Sequence, residues 1–224
     1  MLAFDSFTLV AASDSLDVTA AAADTADAVE FRMDLAERPL DELAGYEGTL
    51  PVLATNRAAW EGGEASDDEE RLNALAAAAE HAAVEAVDVE LASLTDGDGE
   101  RVVDTAHKND AAVVVSAHDF AGTPPRDAMR ETLESAANRG DVGKLAVSAA
   151  TRRDVLDLLS VTLERDEAGD AVATMAMGEA GRHSRAVAPL YGSKIGYAPV
   201  DPADATAPGQ YDLDTLAALV ERLR

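Results

Sequence analysis

The residues able to do chemistry fall in six short strings. Glu30 to Asp34 reads E-F-R-M-D, which puts Glu30, Arg32 and Asp34 on one face of an extended segment at a period of two. Arg57 is followed by Glu61-Gly62-Gly63-Glu64, and Ser116 by His118-Asp119-Phe120 and then Thr123-Pro124. Gly143-Lys144 leads into Leu145-Ala146-Val147. Met175 and Met177 precede Gly178, Gly181 and the pair Ser184-Arg185, and Ala207-Pro208-Gly209-Gln210 lies near the end.

Lys144 is the informative residue, because its apolar neighbours place it inside the molecule, where a cation is costly. Two readings stand side by side. The amine is paired with a buried carboxylate such as Glu30 or Glu90, or it is kept partly neutral by burial and nearby arginine so that it attacks a carbonyl and forms an imine. The imine route needs a proton shuttle, and histidine, here His118, is the side chain best matched to neutral pH.

Short β-branched runs alternate with Ala/Leu/acid segments of helical spacing, roughly 25 to 30 residues per pair. The expected strands are 7–12, 28–34, 51–57, 86–93, 111–119, 142–149, 171–178 and a weak 196–199. Helices are expected over 15–26, capped by Ser15, over 66–83, after Thr123-Pro124-Pro125, over 151–163 and over 211–223. Crossover helices make such strands parallel. Eight units in 224 residues, with no G-x-G-x-x-G after the first strand, predict one α/β domain over 1–224, a (β/α)8 TIM barrel. In that fold the carboxyl ends of the strands face the pocket, and the polar strings end there.

Composition narrows the function. Forty-three acids against 18 basic residues give a net charge of −25, which disfavours nucleic acid and anionic membranes as partners. The absence of cysteine removes disulfides, thiolate metal sites and cysteine nucleophiles. The first residues, MLAFDSFTLVAAS, lack the cationic flank of a signal peptide, and no apolar run reaches the roughly 18 residues of a spanning helix, so a cytoplasmic chain is expected. Lys108, Lys144 and Lys194 are the only lysines; an acid-rich, lysine-poor surface is that of proteins working in molar salt.

Taken in order and spacing, E-F-R, R-x-x-x-E-G-G-E, S-A-H-D-F-x-x-T-P, G-K-L-A-V, M-x-M-G-x-x-G-x-x-S-R and A-P-G-Q resemble the type I 3-dehydroquinate dehydratase family, over nearly the whole chain. The resemblance implies a cofactor-free, metal-free lyase acting on the small molecule 3-dehydroquinate, and a homodimer. It implies that Lys144 forms the imine, that His118 is the general acid/base and that Glu61 orients the imidazole. It implies that Arg185 binds the substrate carboxylate, that Glu30, Arg32 and Arg57 position the hydroxyls, and that Gln210 and Thr206 come from a closing loop. Thr206 stands where the family commonly has serine. The amino-terminal hairpin of longer members is missing, so the barrel bottom is expected to be closed differently or left open.

Two other functions compete: a class I Schiff-base aldolase, which would need a phosphate cradle that the sequence lacks, and a non-catalytic acidic barrel that only binds. Among the remaining residues, His81 and His107 read as surface groups, and His183 as near the pocket without a role. Asp88 and Glu90 read as inward carboxylates neutralising Arg32 or Lys144, Asp119 as orienting its loop, and Trp60 as packing beside the pocket entrance. Salt supplies a test of the charge argument. Melting temperature and activity are expected to rise from dilute buffer to molar KCl as self-repulsion is screened; activity lost in molar salt contradicts the reading.

Overall fold

In the computed structural model, which describes residues 2–204 and 209–224, side chains alternate between two environments along eight strands. These are β1 (Thr8–Ser13), β2 (Ala28–Arg32), β3 (Val52–Thr55), β4 (Val84–Glu90), β5 (Ala112–Asp119), β6 (Val142–Ser148), β7 (Val172–Met177) and β8 (Ile195–Pro199). All the ladders are parallel and the order is β7-β6-β5-β4-β3-β2-β1-β8. The outer faces are covered by α1 (Thr19–Ala22), α2 (Pro39–Ala44), α3 (Asp68–Ala79), α4 (Leu91–Thr95), α5 (Glu100–Lys108), α6 (Arg126–Ala137), α7 (Arg152–Glu167), α8 (Ser184–Val187) and α9 (Leu213–Leu223). The architecture is a nearly closed (β/α)8 barrel, as the alternating pattern predicts.

The seam between β7 and β8 is the exception to full closure. The two strands meet at a single bridge, Val172 with Ser193, where the Lys194 N–H donates to the Val172 carbonyl at 2.8 Å. Above it, hydroxyls take over the ladder's work. The Thr174 N–H donates to Ser193 Oγ at 3.0 Å, and the Ala176 N–H to Ser184 Oγ at 2.9 Å, so buried backbone donors are satisfied without a neighbouring strand.

Period two divides the side chains. Outward Val29, Phe31, Val87, Val89, Val113 and Val115 pack with Leu72 and Leu75 of α3 and with Val102 and Ala106 of α5. Outward Leu145, Val147 and Ala176 meet Met129 and Leu133 of α6 and Leu158 of α7. Inward, the first positions of the strands are small or aliphatic: Ala28, Leu53, Ala112, Val142, Ala173 and Ile195 make a dry floor. Phe4 joins that floor with Leu2 packed against it, so the residues ahead of β1 help close this end of the barrel.

Local differences from the sequence reading have local causes. The helix expected over 15–26 is a 3-10 turn at Leu16–Val18 followed by the single turn of α1, because the chain must reach β2 at Ala28. Ser15 does cap that turn, accepting from the Asp17 N–H, while its hydroxyl donates to Glu42. The helix expected over 66–83 is α3, Asp68–Ala79, with Asp67 as its cap. Thr123 does not cap α6; its hydroxyl donates to the Ser148 carbonyl, and Pro125 opens the helix with no side-chain cap.

Gly143 shows how a motif residue serves the fold. It points outward beside inward-facing Lys144, and a Cβ there would lie 2.8 Å from the Ala137 nitrogen and 2.9 Å from the Leu133 carbonyl oxygen, both backbone atoms of α6. Only glycine lets that helix sit so close to β6. We expect Gly143→Ala to destabilise the protein by about 1–3 kcal/mol, the usual cost of overpacking. Gly122→Ala, where a Cβ meets nothing within 4 Å, is the control and is expected to be near neutral in the same melting experiment. Equal melting temperatures for the two variants contradict this account.

Candidate active site

Above the apolar floor the inward positions turn polar, and they surround a cavity that opens at the carboxyl ends of the strands. Glu30 and Arg32 of β2, Thr55 and Arg57 of β3 and the turn after it, His118 of β5, Lys144 of β6 and Tyr197 of β8 all line it. Met175 and Met177 of β7, with Ala146, make an apolar wall. Glu61, Phe120 and Gln210 reach it from the connections between elements, and Arg185 from α8. The strand ends and loops thus bring together the residues that the strings separated. Thr206 lies outside the described residues.

Lys144 is 4% exposed, and its partner is neither Glu30 nor Glu90 but Asp88: Nζ donates to Asp88 Oδ2 at 2.8 Å. The other oxygen of Asp88 accepts from Arg57 Nη2 at 2.7 Å and from Ser116 Oγ at 2.6 Å. Burial opposes the charge on Asp88, but Arg57 and Lys144 outweigh it and hold the carboxyl well below the usual range. Glu90 answers different cations. It accepts from Arg71 Nη1 at 2.7 Å and lies 3.2 Å from Arg57 Nη1, while its Oε1 also takes the Ala58 N–H at 3.0 Å. Neither acid pairs with Arg32, which is held bidentately by Asp34 at 2.9 and 2.7 Å. Asp34 also accepts the N–H groups of Arg57 and Glu64, tying β2 to the loop after β3.

His118 Nδ1 lies 2.8 Å from Glu61 Oε1, which leaves Nε2 as the ring nitrogen free for a ligand. Burial is the largest influence on both groups. It pushes the Glu61 carboxyl up to about 8 in spite of Arg57, and with the cations Arg57 and Lys144 it drives the imidazole well below its ordinary value. At neutral pH Glu61 therefore keeps its proton and donates it to Nδ1 of a neutral ring, whose own hydrogen sits on Nε2; once Glu61 ionises, Nδ1–H donates to Oε1 instead. With Glu61 ionised, Nε2 presents a lone pair; with Glu61 protonated, Nε2 carries a hydrogen, and the two forms differ by one proton.

The two glycines after Glu61 have distinct steric reasons. Gly62 has φ +82°, and a Cβ there would lie 2.5 Å from the ring of Phe120, which stacks on His118 at 5.9 Å between centroids. At Gly63 a Cβ would lie 2.1 Å from the Arg57 carbonyl oxygen. The loop can fold back over Arg57 and beneath Phe120 only without side chains.

Arg185 is 5% exposed, and neither its Nε nor its Nη2 has a hydrogen-bond partner among the described residues. No described carboxylate forms an ion pair with it, and burial lowers its pKa to about 10. A buried guanidinium without a counter-ion is suited to an anionic ligand, and a carboxylate matches its fork. His183, by contrast, is exposed ahead of α8 and does not line the cavity. Trp60 is 52% exposed, outside the cavity, with its Nε1–H donating to the Asp68 carboxylate. Asp119 accepts the N–H groups of Ala121 and Gly122, ordering its loop as expected. His107 is an exposed partner of Asp141. Sequence reasoning missed Tyr197 and Thr55 as lining residues; continuing the period of two from Ile195 and from Leu53 would have found both.

Fold and site together define a barrel enzyme whose pocket sets an amine, an imidazole and an unanswered guanidinium around one cavity. The description "Type I 3-dehydroquinase" belongs to the family model that matches residues 7–223. The chain belongs to this family of hydro-lyases. It is 58% identical over 224 residues to the 3-dehydroquinate dehydratase of Haloarcula marismortui, covering 99% of this chain and 98% of that one. It is 52% identical to that of Halobacterium salinarum, with 99% of each chain covered. These relatives are from halophilic archaea. Among solved structures, the 3-dehydroquinate dehydratase of Geobacillus kaustophilus superposes with a TM-score of 0.84 at 28% identity, covering 98% of this chain and 91% of that one. The type I enzyme of Clostridium difficile, solved with covalently modified comenic acid, gives 0.83 at 26%, covering 97% and 92%. No described helix is long and apolar enough to cross a membrane.

The His118–Glu61 pair can be tested directly by NMR titration of the ring. A lowered pKa means that the imidazole stays neutral as pH falls through 6.5 and gains its proton only well below. Its resonances are expected to shift a second time near pH 8, as Glu61 loses its proton. A single transition at or above pH 6.5 contradicts the arrangement.

Proposed function

We propose that this chain dehydrates 3-dehydroquinate to 3-dehydroshikimate through an imine on Lys144. What carries the reading is the amine itself, buried at the bottom of a cavity whose wall holds an imidazole with Nε2 free. Family membership supplies the reaction class. The covalently modified ligand in the Clostridium difficile relative is consistent with a nucleophile in this fold.

The chemistry follows from the groups present. The Lys144 ammonium gives up a proton, and the amine attacks the substrate ketone carbon; loss of the carbinolamine oxygen as water leaves a C=N⁺ bond. That cation sits where Asp88 already balances a positive nitrogen 2.8 Å away, so the electron sink forms without a new unpaired charge. His118 Nε2 takes the proton from the carbon beside the iminium, and the electron pair of that C–H bond forms an enamine. The enamine expels the β-hydroxyl, which leaves as water with the proton His118 now returns, a syn elimination by one base on one face. Water then adds to the conjugated iminium, and C–N cleavage frees Lys144 and the product ketone.

The other side chains position the substrate. Arg185 takes the carboxylate bidentately. Glu30, which accepts from Thr55 Oγ1 at 3.0 Å and keeps a second oxygen for the ligand, holds a ring hydroxyl with Arg32. Arg57 acts through its neighbours, since its fork is already spent on Asp88, Ser116 and Glu90. Gln210 lines the cavity and reaches the substrate there, and the family resemblance assigns the Thr206 hydroxyl to the substrate as well. The methionine wall accepts the apolar face of the carbocycle.

Borohydride reduction in the presence of 3-dehydroquinate, followed by peptide mass mapping, tests the reading. A stable adduct on Lys144 is expected, and none in Lys144→Met. His118→Ala is expected to form the adduct still while turning over slower by about 10² to 10⁴ or more. Turnover by wild type with no trapped lysine, or full activity in His118→Ala, refutes the mechanism.

A further inference from the structure

Four buried side-chain polar atoms lack a hydrogen-bond partner among the described residues, and three of them belong to two residues: Nε and Nη2 of Arg185, and the hydroxyl of Tyr197. The concentration is not a packing accident spread over the molecule. Arg185 and Tyr197 both line the active-site cavity, and both line a much smaller pocket that extends into the β7–β8 seam between Thr174, Ser193 and Ile195. The incomplete ladder at that seam is what gives the two side chains room.

Tyr197 is 4% exposed, and its ring lies against the reactive end of Lys144, with Nζ 4.2 Å from the ring centroid. The ring alone would give that cation–π contact, so a phenylalanine would serve as well. The hydroxyl adds nothing to the described fold and costs free energy, because a buried O–H has left its water partners and found no replacement. Burial, with the acids Glu30 and Asp88 nearby, holds its proton far above the usual phenol range, so the group is a donor at any working pH.

We propose that Tyr197 is a further substrate-binding residue, whose hydroxyl donates a hydrogen bond to the same anionic group of the substrate that Arg185 binds. The chemistry favours a carboxylate. The orphaned groups are all donors, and a carboxylate offers about four lone-pair sites, two for the guanidinium fork and others for a hydroxyl. A ring hydroxyl also accepts, but it offers one oxygen to three orphaned donors, whereas a carboxylate offers two. This inference rests on the reading of Arg185 as the carboxylate site, but not on the imine.

Calorimetry separates the two. The ligand is the alcohol obtained by reducing the ketone of 3-dehydroquinate, which keeps the carboxylate and cannot form an imine. Its dissociation constant is expected to rise about tenfold in Tyr197→Phe, the effect of one lost hydrogen bond to a charged group. Unliganded Tyr197→Phe is expected to melt at the same temperature as wild type or higher, since an unsatisfied hydroxyl is gone. A dissociation constant within twofold of wild type overturns the proposal, and so does a lower melting temperature, which would mean the hydroxyl has a partner inside the protein. Borohydride trapping of Tyr197→Phe at saturating 3-dehydroquinate is expected to label Lys144 still. Failure to label wild type would count against the imine and leave the calorimetric result to decide Tyr197 by itself.

Discussion

The site depends on how the charge of Lys144 is held inside the barrel. An ammonium removed from water needs an anion, and that anion needs to be fixed so that it neither protonates nor collapses the pocket. Asp88 meets both needs, because its second oxygen is bound by Arg57 and Ser116. Arg57 in turn leans on Glu90, and Glu90 on Arg71 and the Ala58 N–H. The result is a connected network across β3, β4, β5 and β6. Its members are buried together, so displacing one leaves another charge unpaired in a low-dielectric interior.

The same network sets the electrostatics of the proton-transfer pair. Arg57 and Lys144 make a protonated imidazole unfavourable, while Asp88 and Glu90 add to burial in making an ionised Glu61 unfavourable. Because the ring stays neutral while Glu61 gains or loses its proton near pH 8, Nε2 presents a hydrogen in one form and a lone pair in the other, as general acid/base work requires. Meanwhile Arg185 brings a positive charge that no described carboxylate answers. A molecule of net charge −25 thus keeps a cationic spot inside its pocket for an acidic ligand, against the field of its own surface.

Much of the arrangement was legible along the chain. The alternation in E-F-R-M-D fixed Glu30 and Arg32 as inward, and both line the cavity. The apolar run after Lys144 marked it as buried. What could not be read was partner choice. Glu30, Asp88 and Glu90 are all inward acids; the ladder register pairs Ser116 with both Lys144 and Glu90, yet it is Asp88, one inward position earlier on β4, that meets the lysine. His183 shows the converse: it lies close to the S-R pair in sequence, yet the turn into α8 aims it at solvent.

By itself, then, the sequence determined the barrel, the family and the small set of side chains brought to its mouth, because period-two alternation and motif spacing are local properties of the chain. Tertiary structure alone decided that Asp88, rather than Glu30 or Glu90, holds Lys144, and that Tyr197 and Arg185 carry donors unmet among the described residues at an open seam. Each of those facts is a distance between residues tens of positions apart, and such distances arise from strand register, closure and burial, which no one-dimensional pattern encodes.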